Sequence, residues 1–258
     1  MSMHARIATA AEDGLLAAIC NTPEVLAWTA HDGAPPFDPT RYTASPKSFA
    51  VIVEDDAEPL GCFLAPALEQ GAYGVHTNLL PACRGARALE AAAVAVELAF
   101  VSTDAEQLWS MVPANNRRAA WFAHAMGMRD HSRRDGVWPS GGQRHAMAFV
   151  RMDIDDWIVR GSLAEMGREF HRALVEQGGH VDHGDDPVHD AYVGAAWAMT
   201  AAGNLAKGLR IYNRWARASL YRPYQVLGEE PLRIDIGSCV LRAVGRDFAI
   251  EHEETEHA

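Results

Sequence analysis

Along the first third of the chain, apolar and polar positions alternate, change period and alternate again. Ala5-Arg-Ile-Ala-Thr9 has the alternation of a short strand, and Ala10 to Cys20 carries its apolar residues at helical spacing. Asn21-Thr-Pro stops that helix; Thr22 and Pro23 predict the cap and first turn of another, Pro23 to Trp28. His31 to Pro46 holds four prolines with Gly33 and Asp38, and predicts a loop. Phe49-Ala-Val-Ile-Val53 and Leu60-Gly-Cys-Phe-Leu64, separated by Asp55, Asp56 and Pro59, predict an antiparallel hairpin. A third strand is expected over Ala72 to Leu80, with Tyr73, Val75, Thr77 and Leu79 on one face and His76 and Asn78 on the other.

After Pro81 the period lengthens. Leu89, Ala92, Ala93, Val96, Glu97 and Phe100 recur at helical spacing, so Arg84 to Val101 predicts a helix packed on the sheet. Gln107 to Val112 predicts a strand, Asn115 to Met126 a helix ended by Gly127, and Gly127 to His131 and His145 to Met152 two further strands. This order predicts an α/β (α+β) fold, a mixed sheet flanked by helices. The pattern changes near Asp153. Leu163 to Gln177 is an amphipathic helix, and Gly178 to Pro187 a polar loop whose Asp186-Pro187 starts the next helix. His189 to Ala202 and Ala206 to Tyr221 predict a helical hairpin turning at Gly203-Asn204, with Ala201 to Tyr212 resembling a single tetratricopeptide-type turn. Pro231 to Ile236, Cys239 to Val244 and Phe248 to Glu251 predict a small β-meander, and Glu251 to Ala258 a solvated acidic tail. Two domains are therefore expected, residues 1–155 and a helical and β accessory region over 156–258.

Composition narrows the chemistry. With 48% hydrophobic and 22% charged residues the chain is of globular, not disordered, type. No apolar run reaches the roughly eighteen residues that predict a membrane helix, and the first eleven residues contain no secretory apolar core. Cys20, Cys62, Cys83 and Cys239 have neither metal-site nor disulfide-framework spacing, which fits a reducing cytoplasm. The net charge of −11 opposes nucleic acid as a partner. Arginines at 84 and 87, at 117 and 118, and at 129, 133 and 134 leave room for one small anionic ligand or for an ordinary mixed surface. His180 to Asp190 concentrates three histidines and four aspartates, but matches no zinc or EF-hand spacing; it reads as a loop and helix cap, and no metal is expected. Nucleophile elbows and cysteine-nucleophile signatures are absent from the sequence.

Two segments carry a family resemblance. In Val75-His-Thr-Asn-Leu-Leu-Pro-Ala-Cys-Arg-Gly-Ala-Arg-Ala-Leu89 a strand ends at a proline, an Arg-Gly turn follows, and a long alanine-rich helix begins at once. Helix N-termini present unpaired N–H groups and the positive end of the dipole, which suits an anion. In Val112 to Met128, Asn116, Ala119, Phe122, Gly127 and Met128 recur at fixed spacing after a strand. Together these segments resemble the GCN5-related N-acetyltransferase (GNAT) superfamily. The resemblance implies an acyl-coenzyme A-dependent N-acyltransferase, with acetyl-CoA or another acyl-CoA bound by Leu80, Arg84, Gly85, Ala86, Arg87, Ala88 and Asn116. Ala82 stands where the family has Gln or Arg, Arg87 where it has a small residue, and Ala123 where it often has a tyrosine acid. The wording of Asn21 to Trp28, Val75 to Pro81 and Tyr212 to Trp215 resembles a group of tailed-phage GNAT-like proteins, which implies a phage or prophage origin in the host cytoplasm.

Amine acylation needs a base for the ammonium proton, donors for the oxyanion and an acid for the sulfur. His76, on the strand before the turn, is the candidate base; the other reading is a histidine satisfied within the sheet or exposed. Asn78 either positions substrate or ends its strand, His124 either replaces the missing acid or faces solvent, and Trp109 and Trp121 read as core. The acceptor is a small-molecule or protein amine. The competing expectation is a GNAT fold without catalysis that acts as a structural or interaction protein, with homo-oligomer or virion partners reached through the C-terminal region.

Overall fold

A computed structural model describes residues 3–161, 163–176, 186–218, 232–236, 239–244 and 247–252. They fall into two compact units, Met1–Ile154 and Asp155–Ala258.

The first unit is built on one sheet of eight strands: β1 (Met3–Ile7), β2 (Ser48–Asp55), β3 (Glu58–Glu69), β4 (Ala72–Gly74), β5 (His76–Leu79), β6 (Gln107–Pro113), β7 (Arg129–Ser140) and β8 (Gln143–Asp153). The spatial order is β1-β2-β3-β4-β6-β8-β7, with β5 also paired to β3. All pairings are antiparallel except β4 with β6, which makes the sheet mixed. The helices are α1 (Asp13–Cys20), α2 (Pro23–Thr29), α3 (Thr40–Thr43), α4 (Ala86–Ser102) and α5 (Arg117–Ala125).

From Phe49 to Val53, strand β2 is apolar without interruption because both of its faces are covered. Ala50 and Ile52 pack with Cys62 and Leu64 of β3 beneath Leu16, Ile19 and Cys20 of α1. On the opposite face Phe49, Val51 and Phe63 meet Ala95, Val96 and Ala99 of α4. The alanines of α4 let its backbone approach the sheet, and Phe100 is fully buried at its far end. Between β2 and β3 the chain reverses through Asp56 (φ 50°) and Ala57 (φ 69°), a two-residue turn with both centres left-handed.

Three elements differ from the sequence expectation. The strand expected over Ala72 to Leu80 breaks at Val75 into β4 and β5. The last hairpin is far longer than Gly127–His131 and His145–Met152, because β7 is an outer strand whose residues from Arg129 to Asp135 are all exposed. With no buried face it shows no alternation, and its charges suit a free edge. Finally, the loop over His31–Pro46 contains the single helical turn α3.

The second unit comprises α6 (Ile154–Arg160), α7 (Leu163–Glu176), α8 (Pro187–Ala201) and α9 (Leu205–Ala218), with a separate antiparallel meander β9 (Leu232–Ile236), β10 (Cys239–Val244) and β11 (Asp247–His252). Asp186 caps α8, its carboxylate accepting from the amides of Val188 (2.9 Å) and His189 (3.3 Å). Helices α7 and α8 touch backbone to backbone at glycines: a Cβ on Gly194 would lie 2.0 Å from the Leu163 carbonyl oxygen, and one on Gly167 1.9 Å from that of Asp190. Gly203 (φ 76°) ends α8, with the Asn204 amide donating to the Met199 carbonyl. Residues 177–185 and 253–258, which hold most of the polar loop and the acidic tail, lie outside the described residues. No described helix is long and apolar enough to cross a membrane.

Candidate active site

The break at Val75 creates the site. Ala72, Tyr73 and Gly74 pair in parallel with Gln107, Leu108 and Trp109, and the Val75 amide donates to the Trp109 carbonyl at 2.6 Å. Beyond that point the strands separate. His76 to Leu79 pair only with β3, and Ser110 to Pro113 only with β8. Each keeps a strand edge turned from its ladder, and the Ser110 hydroxyl, donating to the Val75 carbonyl at 3.2 Å, sits where they part.

A cavity of about 500 Å³ opens at this fork. Val75 at the break, His76 and Thr77 of β5, Ser110 to Pro113 of β6, Ala92 and Val96 of α4, Asn116 before α5, and Ala119, Phe122 and Ala123 of α5 line it. Thr29, His31, Arg41, Tyr42 and Trp138 line it as well, with Met126, Met128, Met147 and Met152. His31 meets the edge of Trp138, their ring centroids 5.8 Å apart. The segment carrying His31 is fastened to the β7–β8 turn by Asp32, whose carboxylate accepts from the amides of Gly141 (3.2 Å) and Gly142 (3.0 Å).

His76 lies in this cavity, and burial lowers its pKa below the usual histidine value. Its imidazole is therefore neutral in neutral solution, with a lone pair able to take a proton. Tyr42, half-buried against Phe37, has its hydroxyl pKa raised by burial and keeps its proton. Asn78, on the same strand face as His76, is buried beside the Cys20–Cys62 pair; burial and its contact with Cys20 push the Cys62 thiol up.

The turn after β5 presents amides. Gly85 takes φ 62°, a Cβ there would meet nothing, and α4 starts at the next residue. Among the described residues, the N–H groups of Arg84, Gly85, Ala86 and Arg87 find no acceptor. Arg84 and Ala86 are exposed, and Ala88 is buried under the helix. Leu80 uses both backbone groups internally, its amide donating to Leu60 and its carbonyl accepting from Cys83, while its side chain packs against the α1 cluster. The Arg87 guanidinium donates to the buried Asp55 carboxylate at 2.6 Å, so its charge is engaged within the fold. Asn116 caps α5, accepting from the Ala119 amide at 3.0 Å, and also lines the cavity.

The residues reached only by tertiary structure are Thr29, His31, Arg41, Tyr42, Trp138 and the methionines. Phe37 and Tyr42 were the available signals, two aromatics in a proline-rich loop, since a solvated loop has little use for them. Trp121 is 61% exposed and not core. His124 is exposed, with Nε2 3.0 Å from Asp130. His189 and Asp190, expected at the start of the helical hairpin, lie in the first turn of α8 and are buried there, where Asp190 Oδ1 lies 2.9 Å from His171 Nδ1 and the rings of His171 and His189 stack.

The sequence matches no family model and no curated protein. Solved structures do match in fold. Spermidine N-acetyltransferase from Vibrio cholerae, in complex with CoA and spermine, is 10% identical over 60% of this chain and 96% of its own, with a TM-score of 0.52. Ribosomal-protein-S5-alanine acetyltransferase from Vibrio fischeri is 14% identical over 61% of this chain and 96% of its own, with a TM-score of 0.50. The fold, a mixed sheet flanked by helices, is that of the GNAT acetyltransferases.

Proposed function

We propose that the unit over residues 1–154 is an acyl-coenzyme A-dependent N-acyltransferase, with acetyl-CoA as donor. The observation that carries this reading is the fork between β5 and β6: its unpaired strand edges can take up the amides of an extended coenzyme arm, and β5 leads straight into the Arg84–Arg87 amides, which suit the pyrophosphate. Asn116, in the cavity lining, would contact the arm, and Arg84, whose guanidinium donates to the Leu79 carbonyl at 3.4 Å, is the other cation of the turn beside Arg87. The amine nitrogen attacks the thioester carbonyl, the C–N bond forms, and the C–S bond breaks. Neutral His76 accepts the proton that the amine gives up, and the thiolate leaves as a thiol after protonation. Ala123 has no proton to give, so the hydroxyls of Tyr42 and Ser110, both in the cavity lining, are the donors at hand. Burial keeps Tyr42 protonated in the range where His76 is neutral, which is the pairing that acid–base chemistry requires. The wording of Asn21 to Trp28, Val75 to Pro81 and Tyr212 to Trp215 supports a phage or prophage origin for this reading, with the activity in the host cytoplasm.

Calorimetry of the full chain with acetyl-CoA tests the reading. Saturable binding is expected, weakened by Gly85→Asp, which puts a carboxylate at the turn. Absence of binding at millimolar acetyl-CoA would refute it.

A further inference from the structure

The cavity lining has a one-sided chemistry. Among its described residues none is aspartate or glutamate, although the chain as a whole has a net charge of −11. Two carboxylates close in sequence to His31 and Arg41 are engaged by other groups: Asp32 by the Gly141 and Gly142 amides, and Asp38 by the amide (3.1 Å) and hydroxyl (2.7 Å) of Thr40. The one permanent charge in the lining is the Arg41 guanidinium, largely exposed and held by Asp38 only at 3.9 Å. Beside the neutral polar groups of the lining stand thioethers and aromatics, Met126, Met128, Met147, Phe122 and Trp138.

This arrangement sorts amines by what else they carry. The reacting nitrogen must lose its proton, and an apolar wall favours that loss. A polyamine would bring further ammonium groups that stay charged, and a buried charge without a counter-charge is costly. An amine with an apolar body meets no such penalty, and methionine side chains adapt to its shape. A carboxylate on the carbon that bears the amine would find Arg41, which lines the same cavity as His76 and whose planar fork matches it.

Resting on the N-acyltransferase reading above, we propose that the acceptor is a monoamine with an apolar body and a carboxylate, that is, an apolar amino acid, and that Arg41 is the residue that binds its carboxylate. The acceptor would thus differ in class from the spermine held by the Vibrio cholerae enzyme.

The test is release of free thiol from acetyl-CoA by the full chain, with leucine and phenylalanine compared with isoamylamine and phenethylamine, their decarboxylated counterparts, and with spermidine. The amino acids are expected to exceed their decarboxylated counterparts about 10-fold in kcat/KM, with spermidine slowest. Arg41→Gln is expected to raise KM for the amino acids about 10-fold and to leave phenethylamine unchanged. A preference for spermidine, an Arg41→Gln effect equal for both amine types, or acetyl-CoA binding without turnover of any of these amines overturns the proposal while leaving coenzyme binding intact. Failure to bind acetyl-CoA at all removes the parent reading first.

Discussion

The ion pair between Arg87 and Asp55 makes a prediction that separates folding from ligand binding. Asp55, at the end of β2, is 6% exposed and its Oδ1 has no hydrogen-bond partner, so Oδ2 and Arg87 carry its whole compensation. Removing one partner of a fully buried pair costs about 3–5 kcal/mol, whereas an exposed pair contributes about 0–1 kcal/mol. The Arg87 side chain is 35% exposed, and solvent screening places the loss on Arg87→Ala between these limits, at about 2 kcal/mol. For a unit of this size that corresponds to a fall of about 4–8 °C in Tm. Asp55→Ala and the double variant complete a thermodynamic cycle, measured by urea denaturation. The double variant should be more stable than the sum of the single losses implies, by about 1–2 kcal/mol. Because the guanidinium is already engaged, Arg87→Ala should change acetyl-CoA affinity less than about 3-fold, since the amides of the turn remain in place. An Arg87→Ala protein of unchanged stability that has lost acetyl-CoA affinity 10-fold or more would refute this reasoning and assign the arginine to phosphate.

Three further outcomes are expected. His76→Gln should lower kcat by about 10²–10⁴-fold and abolish the acidic limb of the rate profile; in the unmodified enzyme that limb lies below 6.5, because the folded pKa is depressed and the base is lost only on protonation. The same depression means that His76 costs stability only as pH falls through 6.5 toward its folded value, where the unfolded chain takes up the proton first. Ala57→Gly should stabilise the β2–β3 turn by about 0.5 kcal/mol, the relief of a left-handed alanine less the extra entropy of an unfolded glycine, seen as a small rise in urea midpoint; a fall would contradict the turn geometry. Gly194→Ala should force α7 from α8 at a cost of about 3 kcal/mol, detected as faster proteolysis within those helices while acetyl-CoA binding is retained.

Much of the scaffold was legible because it is local. The alanine-rich period of α4, the Gly85 turn and the alternation that carried His76 all lie within a few residues of one another, and the structure gathers His76 and Asn116 into one cavity. What escaped was set by partners far along the chain. Val75 looks like any other strand position until Trp109 and Leu64 pull its neighbours to different strands. The pairing of Arg87 with Asp55, 32 residues earlier, has no signal in the local sequence of either residue. Strand β7 hides its length because an outer strand exposed on both faces has no period to show. His189 and Asp190 start a predicted helix at the end of a polar stretch, and nothing local shows that α7 and α9 pack against that turn.

The fork between β5 and β6 also bears on how the sheet carries load. On one side stand β1, β2, β3 and β5, on the other β6, β8 and β7, each a continuous antiparallel ladder. Between them, β4 joins β6 through the pairs Ala72–Gln107, Tyr73–Leu108 and Gly74–Trp109, with hydrogen bonds of Val75 to Trp109 and Ser110 at the fork. A twist of one half against the other would load those three pairs and leave both ladders whole, so the cleft can change width as a clothes-peg does, about its spring. The Tyr73 hydroxyl, donating to Asp104 at 2.5 Å, sits at that spring.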